Sequence, residues 1–433
     1  MEITKGTNPA GNQCQSKSQV TAIIIGAGVR GCVYADHALD RPDEFKIVGV
    51  AEPRLISRTA IAGAHNISSE NVFKDWSHAA EKEKFADCVI ISTMNHHHKD
   101  PAIAFARKGY HILLEKPMAL TEKDCKDVVR ECKESGVIFA VCHVLRYQPQ
   151  VAKMKEIISS GQLGDVINIQ YLEPQGYWWY PHSFVRGNRS NYDDGFLLLQ
   201  ACCHDVDIIC YLMDDRKCQR VSSFGSLMYF NKKNKPSRSG DRCDNCEIET
   251  SCAFSSKKIY MDSFKKGNRG FPVNQVTEIM DVESLTDSLR TGPYGRCVYS
   301  CDNNQPDNQV VMFQYENGST ASLTYIGMSE KVVDRQVRVF GTKGELRCNI
   351  SGSIRTYDFL TQKEEIYEPP APPENTRLTQ FFGADFYMMQ SFVNAVKNND
   401  PSLILTGPDD SLQSHLLVFA AERARLTGTV VEL

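Results

Sequence analysis

The stretch Val20-Thr21-Ala22-Ile23-Ile24-Ile25-Gly26-Ala27-Gly28-Val29-Arg30-Gly31 decides how this chain is read. An apolar run with strand character ends on a glycine, and a helical pattern, Val29–Leu39, opens just after it. Each glycine has a physical role. Gly26 permits a tight turn, Gly28 lets the backbone approach a pyrophosphate, and Gly31 lets the helix pack close to the strand. The helix start offers unpaired N–H groups and partial positive charge to a phosphate. Glu52 closes the next strand about 20 residues further on, where the ribose hydroxyls of a dinucleotide lie. A carboxylate there would repel the extra phosphate of NADP, so NAD is the expected cofactor. Arg54 and Arg58 could hold that phosphate and keep NADP as the alternative.

Outward from this motif, apolar runs at Phe45–Ala51, Asp87–Thr93, Tyr110–Leu114 and Val137–Val141 alternate with helical patterns such as Pro101–Lys108 and Thr121–Ser135. Strands separated by helices imply a parallel sheet covered on both faces. The expected dinucleotide-binding domain therefore spans 20–146. The rhythm then changes. A long helical pattern at Gly195–Met213 is followed by strand-like runs, with a hairpin signal at Asn317-Gly318, and two helical patterns close the chain. Residues 147–433 are expected to form an α+β domain on a largely antiparallel sheet. A polar insertion at about 231–308 lacks an evident core. The first 19 residues are polar and read as a disordered tail.

The chain has 433 residues, 42% hydrophobic and 24% charged, which excludes a wholly disordered or fibrous protein. Lys plus Arg number 49 against 53 Asp plus Glu, a net charge of −4, so there is no basic footprint for nucleic acid. No apolar run approaches the roughly 18 residues of a membrane span. The 16 cysteines sit mainly in apolar settings, which points to reduced thiols and a cytoplasmic location. Cys243-x2-Cys246-x5-Cys252, with Cys297 or Cys301 further on, could instead supply four thiolates to a structural zinc ion. The run His96-His97-His98 is not expected to hold metal, because neighbouring side chains diverge.

Several motifs together resemble the glucose–fructose oxidoreductase, inositol dehydrogenase and rhizopine-catabolism (Gfo/Idh/MocA) family. They are the glycine motif, Thr93-Met-Asn-His-His-His98, Glu115-Lys116-Pro117, His143-Val-Leu-Arg146-Tyr147, His204-Asp-Val-Asp207 and Gly341-Thr-Lys-Gly344. The resemblance covers about residues 20–430. It implies an α/β Rossmann domain plus an α+β domain with an open sheet, an active site between them, and pairing through the sheet as a homodimer or homotetramer. Members typically oxidise or reduce a secondary hydroxyl or carbonyl on sugars, cyclitols and related polyols. The expected activity is thus NAD(P)-dependent oxidoreduction of a small polyol or sugar.

Such oxidation needs a base for the hydroxyl proton while hydride leaves carbon. Lys116 ends a parallel strand, where open α/β sheets bind ligands. Desolvation and a nearby positive nicotinamide would lower its proton affinity toward usefulness. His204 is the second candidate. The resemblance implies Asp one helical turn before this His; here Gln200 stands instead, which cannot ionise but can hydrogen-bond a substrate hydroxyl. Lys116 and His204 are therefore the expected acid/base pair, with Gln200 orienting substrate. Arg146, Tyr147, Tyr177, Trp179, His182 and Arg186 are candidates to line the substrate cleft, with aromatic faces for sugar rings and Arg for an anionic group. Gly26, Gly28, Val29, Arg30, Gly31, Glu52, Arg54, Thr93, Asn95, His98, Glu115 and Lys116 are the expected cofactor contacts. Two other functions fit the same residues. A cofactor-retaining glycosidase would use transient oxidation without net NADH, and a non-catalytic NAD(P)-binding protein would need neither Lys116 nor His204.

Overall fold

The computed structural model describes residues 19–214, 216–371 and 373–433; the expected tail lies almost wholly outside them. The first sheet is built from β1 (Val20–Ile25), β2 (Phe45–Ala51), β3 (Val72–Phe73), β4 (Cys88–Ile91), β5 (His111–Leu114) and β6 (Phe139–Val141). Its order is β3-β2-β1-β4-β5-β6, with every pair parallel. These strands are nearly continuous apolar runs because helices cover both faces. The helices are α1 (Val29–Asp40), α2 (Leu55–Ala64), α3 (Trp76–Glu81), α4 (Lys99–Arg107) and α5 (Glu122–Glu134). In α5 the Thr121 side chain caps the start, accepting the Asp124 N–H, and Cys125, Val128, Val129 and Cys132 turn one stripe inward.

After α6 (Pro149–Ser159) the chain enters β7 (Val166–Gly176), α7 (Leu197–Ala201), α8 (Cys203–Leu212) and β8 (Cys218–Ser226). The helical pattern expected over Gly195–Met213 is thus interrupted at Cys202, which places Gln200 and His204 on separate short helices. The insertion carries α9 (Asp262–Lys265) and α10 (Val282–Thr291). Contrary to expectation it has a small core of its own, formed by Tyr260, Phe264, Val273, Leu285 and Leu289.

Next come β9 (Asn308–Tyr315), β10 (Thr320–Ser329), β11 (Gln336–Gly341), β12 (Gly344–Asn349), β13 (Ile354–Asp358) and β14 (Glu364–Tyr367), then α11 (Ala384–Asn398), α12 (Pro408–Thr427) and β15 (Val431–Glu432). The second sheet has nine strands in the order β14-β13-β12-β11-β7-β10-β9-β8-β15, antiparallel except between β7 and β10. Strict alternation of buried and exposed residues along β9 marks a sheet with one covered face. Gly318, at φ +84°, closes the expected hairpin between β9 and β10. The two halves are not independent along the chain. Helix α11 returns to pack on α1 and β1, and α12 packs on α5, α8 and β8.

Candidate active site

The turn after β1 explains two of its glycines. Gly26 has φ +92°, and a Cβ there would lie 2.7 Å from the Ser92 carbonyl oxygen. A Cβ on Gly31 would lie 2.1 Å from the carbonyl oxygen of Gly26. By contrast, a Cβ on Gly28 meets only Arg54 Nη2 at 3.9 Å and would project into open space. That space is a cavity of about 730 Å³ over the carboxyl edge of the first sheet, lined by Gly26, Gly28, Val29, Glu52, Arg54, Thr93 and Trp76, among others. The α1 start has no side-chain cap, so its first N–H groups are available to an anion. A long crevice ending on a glycine turn, an uncapped helix start and a buried carboxylate fits a dinucleotide. Gly26, Gly28, Val29, Gly31, Glu52, Arg54 and Thr93 are thereby brought together.

Glu52 is buried; its Oε2 accepts the Ala27 N–H at 2.8 Å, and its Oε1 accepts the Arg54 Nε–H at 2.8 Å. Burial alone would raise its pKa, but these bonds from Arg54 and Ala27 outweigh it and hold the carboxyl below its ordinary range. Arg54 also reaches Glu278 of the insertion at 3.4 Å, and residues Asn274–Glu278 form the outer wall of the cavity. Arg58 is turned away onto the carbonyls of Glu52 and Pro53.

Several expected cofactor contacts have other partners. The Arg30 side chain clamps α1 to Glu115 (2.9 Å) and to Asp385 of α11 (2.6 Å), while Arg30 still lines the edge of the cavity. Glu115 spends one oxygen on Arg30 and Tyr34 and the other on the Lys116 N–H at 2.8 Å. His98 is buried between the carbonyls of Pro117 (2.7 Å) and Thr93 (3.2 Å); the neighbouring His97 lines the cavity instead. Asn95 donates to the Asp194 carbonyl, bridging the two halves. Each of these polar groups is satisfied by protein, as burial requires of Glu115 and His98.

Beside this cavity, at the end of β5, Lys116 Nζ donates to the Gln200 carbonyl at 2.9 Å. Burial lowers its proton affinity; Arg189 pushes the same way, while a charge on Cys203 would oppose. His204, in the first turn of α8, is buried, and its Nδ1 has no hydrogen-bond partner among the described residues. Burial, then the charges of Lys116, His143 and Arg335, drives its pKa well below the ordinary value, so the ring rests neutral. The Gln200 side chain donates to the Gly195 carbonyl and leaves Oε1 without a partner.

The remaining substrate candidates are engaged by protein partners. Arg146 is buried in a two-pronged pair with Asp207, at 2.7 and 2.8 Å, and Tyr147 bonds the Leu405 N–H; both brace α8 and the segment before α12. Arg186 is buried, donating to the carbonyls of Arg296 and Phe254, and anchors the insertion. His182 bonds Tyr260 Oη at 2.9 Å and stacks on Tyr294. Trp179 packs on Phe184 and Phe271, and Tyr177 on Phe254. This aromatic loop is therefore the seat of the insertion. Sequence reasoning could not separate seat from cleft, because the insertion's docking face has no local signal. It also missed Arg189, and the buried cluster in which Arg335 pairs with both Glu173 (2.9 Å) and Asp205 (2.6 Å). Burial pushes Glu173 up to about 8.

The zinc expectation is not supported. Cys243, Cys246, Cys252 and Cys297 line one closed cavity of about 20 Å³. Yet among the described residues no three His, Cys, Asp or Glu side chains are grouped as a metal site. The Cys243 sulfur instead takes the N–H groups of Arg186 and Ser256, each at 3.4 Å. No described helix is long and apolar enough to cross a membrane.

A parallel sheet with a glycine-turn crevice, joined to a mixed sheet that supplies helices beside Lys116, defines a dinucleotide-binding two-domain protein. The model described as "Oxidoreductase family, NAD-binding Rossmann fold" matches residues 20–143, and "Oxidoreductase family, C-terminal alpha/beta domain" matches residues 155–433. The chain belongs to this Gfo/Idh/MocA family. Among curated relatives, 2,7-anhydro-N-acetylneuraminate hydratase of Escherichia coli is 32% identical over 34% of this chain and 37% of its own length. Scyllo-inositol 2-dehydrogenase (NAD(+)) of Bacillus subtilis is 29% identical over 48% of this chain and 58% of its own. The chain thus matches between about a third and three fifths of these relatives' lengths. The solved levoglucosan dehydrogenase complex with NADH and levoglucosan shares the fold, with TM-score 0.68 and 17% identity over 96% of this chain and 99% of that one.

Proposed function

We propose that this protein is an NAD-dependent oxidoreductase acting on a secondary hydroxyl or carbonyl of a sugar, cyclitol or related polyol. The observation that carries the reading is Lys116: a desolvated amine beside the dinucleotide crevice, held by one bond to the Gln200 carbonyl. A neutral amine donating to that carbonyl keeps its lone pair for a hydroxyl proton. NAD, when bound, supplies the hydride acceptor. His204 rests neutral with its Nδ1 unpartnered among the described residues, and Gln200 Oε1 is a second unclaimed group, so both are placed to hydrogen-bond a substrate hydroxyl. The names of the inositol and levoglucosan dehydrogenase relatives support the substrate class. The preference for NAD over NADP is supported by Glu52 at the ribose end and by the engagement of Arg54 and Arg58.

The test is a fluorescence titration with NADH, followed by a polyol and sugar panel scored by NADH absorbance in wild type and Lys116→Met. Cofactor binding without turnover of any member in either direction defeats the reading. Release of aglycone without net NADH would mark the glycosidase route, which nothing in the site favours. Pairing of two copies is supported by the apolar outer face of the second sheet, where Phe224, Val310 and Met312 are exposed on adjacent strands. Light scattering of the purified chain tests it. All described cysteines are free thiols, in keeping with a reducing compartment such as the cytoplasm.

A further inference from the structure

The insertion closes the outer side of the dinucleotide crevice. Its segment there is a short turn. Val273 is buried in the insertion's own core and Val276 packs against it. The Gln275 N–H on the Pro272 carbonyl (3.2 Å) and the Val276 N–H on the Val273 carbonyl (2.9 Å) hold the turn. With the valines anchored inward, the polar residues Asn274, Gln275, Thr277 and Glu278 line the cavity of about 730 Å³, opposite Glu52 and Arg54. The wall is seated rather than loose, because Arg186 ties the insertion through the carbonyls of Arg296 and Phe254.

Glu278 meets the crevice at its adenosine-ribose end, and Arg54 marks the place. The Arg54 Nε–H and its backbone N–H donate to Glu52 Oε1, at 2.8 and 2.9 Å. Its Nη2 donates to Glu52 Oε2 at 3.2 Å and to the Ala27 carbonyl at 3.3 Å, and its Nη1 donates to Glu278 Oε1 at 3.4 Å. The guanidinium is thus bridged between a carboxylate of the parallel-sheet domain and one of the insertion. Lys74 and Asp75 also line this end, just after β3, where the Phe73 carbonyl accepts the Glu52 N–H at 3.0 Å. Asp75 is taken up in capping α3 through the Ser77 N–H at 2.8 Å. Three carboxylates (Glu52, Asp75, Glu278) therefore stand against two cations (Arg54, Lys74), an excess of one negative charge.

A ribose 2′-phosphate needs the opposite: a cation whose donors are unclaimed. Freed of Glu278, Arg54 Nη1 and Lys74 would form such a pair. We propose that Glu278 is a cofactor-specificity residue supplied by the insertion, which holds Arg54 from the outer wall, keeps it from a 2′-phosphate and so turns the site toward NAD. This rests on the reading of the crevice as the dinucleotide site.

The full-length protein is titrated with NADH and with NADPH by fluorescence, at low salt and at about 1 M NaCl, where charges more than ~3 Å apart are screened. Wild type is compared with Glu278→Gln, Glu278→Arg and the double variant Glu278→Gln/Arg54→Met. Glu247→Gln is the charge-matched control: an exposed insertion carboxylate paired with Arg238 at 2.9 Å, away from the crevice lining. Wild type is expected to bind NADH more tightly than NADPH. At low salt Glu278→Gln should narrow that preference about two- to fivefold, the scale of one exposed charge pair, and Glu278→Arg should narrow it further. The gain should shrink at high salt and vanish in the double variant, because the cation that receives the phosphate is gone. Glu247→Gln should keep the wild-type ratio. A ratio unmoved in Glu278→Gln and Glu278→Arg, a gain that survives Arg54→Met, an equal gain in Glu247→Gln, or a wild type that prefers NADPH overturns the proposal. Binding of neither dinucleotide defeats the reading of the crevice itself and this inference with it. NADH binding with an unmoved ratio leaves that reading standing and removes this one. A ratio that moves as expected while no polyol or sugar is turned over keeps this inference and defeats the oxidoreductase reading.

Discussion

Replacing Gly31 by alanine tests the geometry of the crevice directly. A Cβ there would stand 2.1 Å from the Gly26 carbonyl oxygen, whereas close carbon–oxygen contacts settle near about 3.3–3.6 Å. The α1 start must therefore move away from the β1 turn by roughly 1 Å or more. That carbonyl also accepts the Ser92 hydroxyl at 2.7 Å, so the movement strains a second tie. Helix propensity favours alanine by up to about 1 kcal/mol. Overpacking costs about 1–3 kcal/mol and should win. We expect a net loss of about 1–2 kcal/mol in urea unfolding. NADH affinity, read by fluorescence, should fall about tenfold or more, equivalent to ~1.4 kcal/mol, because the helix start that meets the pyrophosphate is displaced. Gly63→Ala is the control: it lies on α2 with nothing within 4 Å of its Cβ and should be neutral or stabilising. A Gly31→Ala protein with wild-type unfolding midpoint and wild-type NADH affinity would refute the placement of the cofactor over this turn.

Other outcomes follow from the same contacts. Lys116→Met should cut turnover by about 10²–10⁴-fold with the NADH Kd unchanged, which separates a proton-transfer role from a binding one. Because the amine must be unprotonated to accept a proton, oxidation should rise with pH through a Lys116 pKa below the ordinary lysine range; a flat profile in the wild type would count against it. Arg30→Met strands the buried carboxylates of Asp385 and Glu115 and should cost about 3–5 kcal/mol in denaturant unfolding. His415 is buried against Met118 N–H and the Ser411 carbonyl, and burial lowers its pKa to about 3. The unfolded ring, titrating near about 6.5, binds a proton that the folded ring refuses, so stability falls as pH drops below about 6.5. By pH 5 this ring accounts for about 2 kcal/mol of that loss. His415→Gln should be less stable at pH 7.5 but lose about that much less between pH 7.5 and 5, measured by urea midpoints.

The parallel sheet, the glycine turn, Glu52 and the strand that leads into Lys116 were all legible in the sequence, because each follows from a local pattern. Apolar runs of strand length, a glycine where no Cβ fits, and an acidic residue about 20 positions on are properties of a few dozen consecutive residues. The hairpin at Asn317-Gly318 was legible for the same reason. What the tertiary structure decided was which polar side chains remain free. Arg146, Arg186 and Arg189 look equivalent along the chain. Only the fold shows that the first meets Asp207 and the second meets two carbonyls of the insertion, while the third meets neither. Likewise Arg30 and His98 sit in the right motif yet are satisfied by α11 and by loop carbonyls. The partners of a buried charge come from distant segments, and burial itself compels the pairing. Local pattern therefore determines where the crevice is, and long-range packing determines which groups are left to face it.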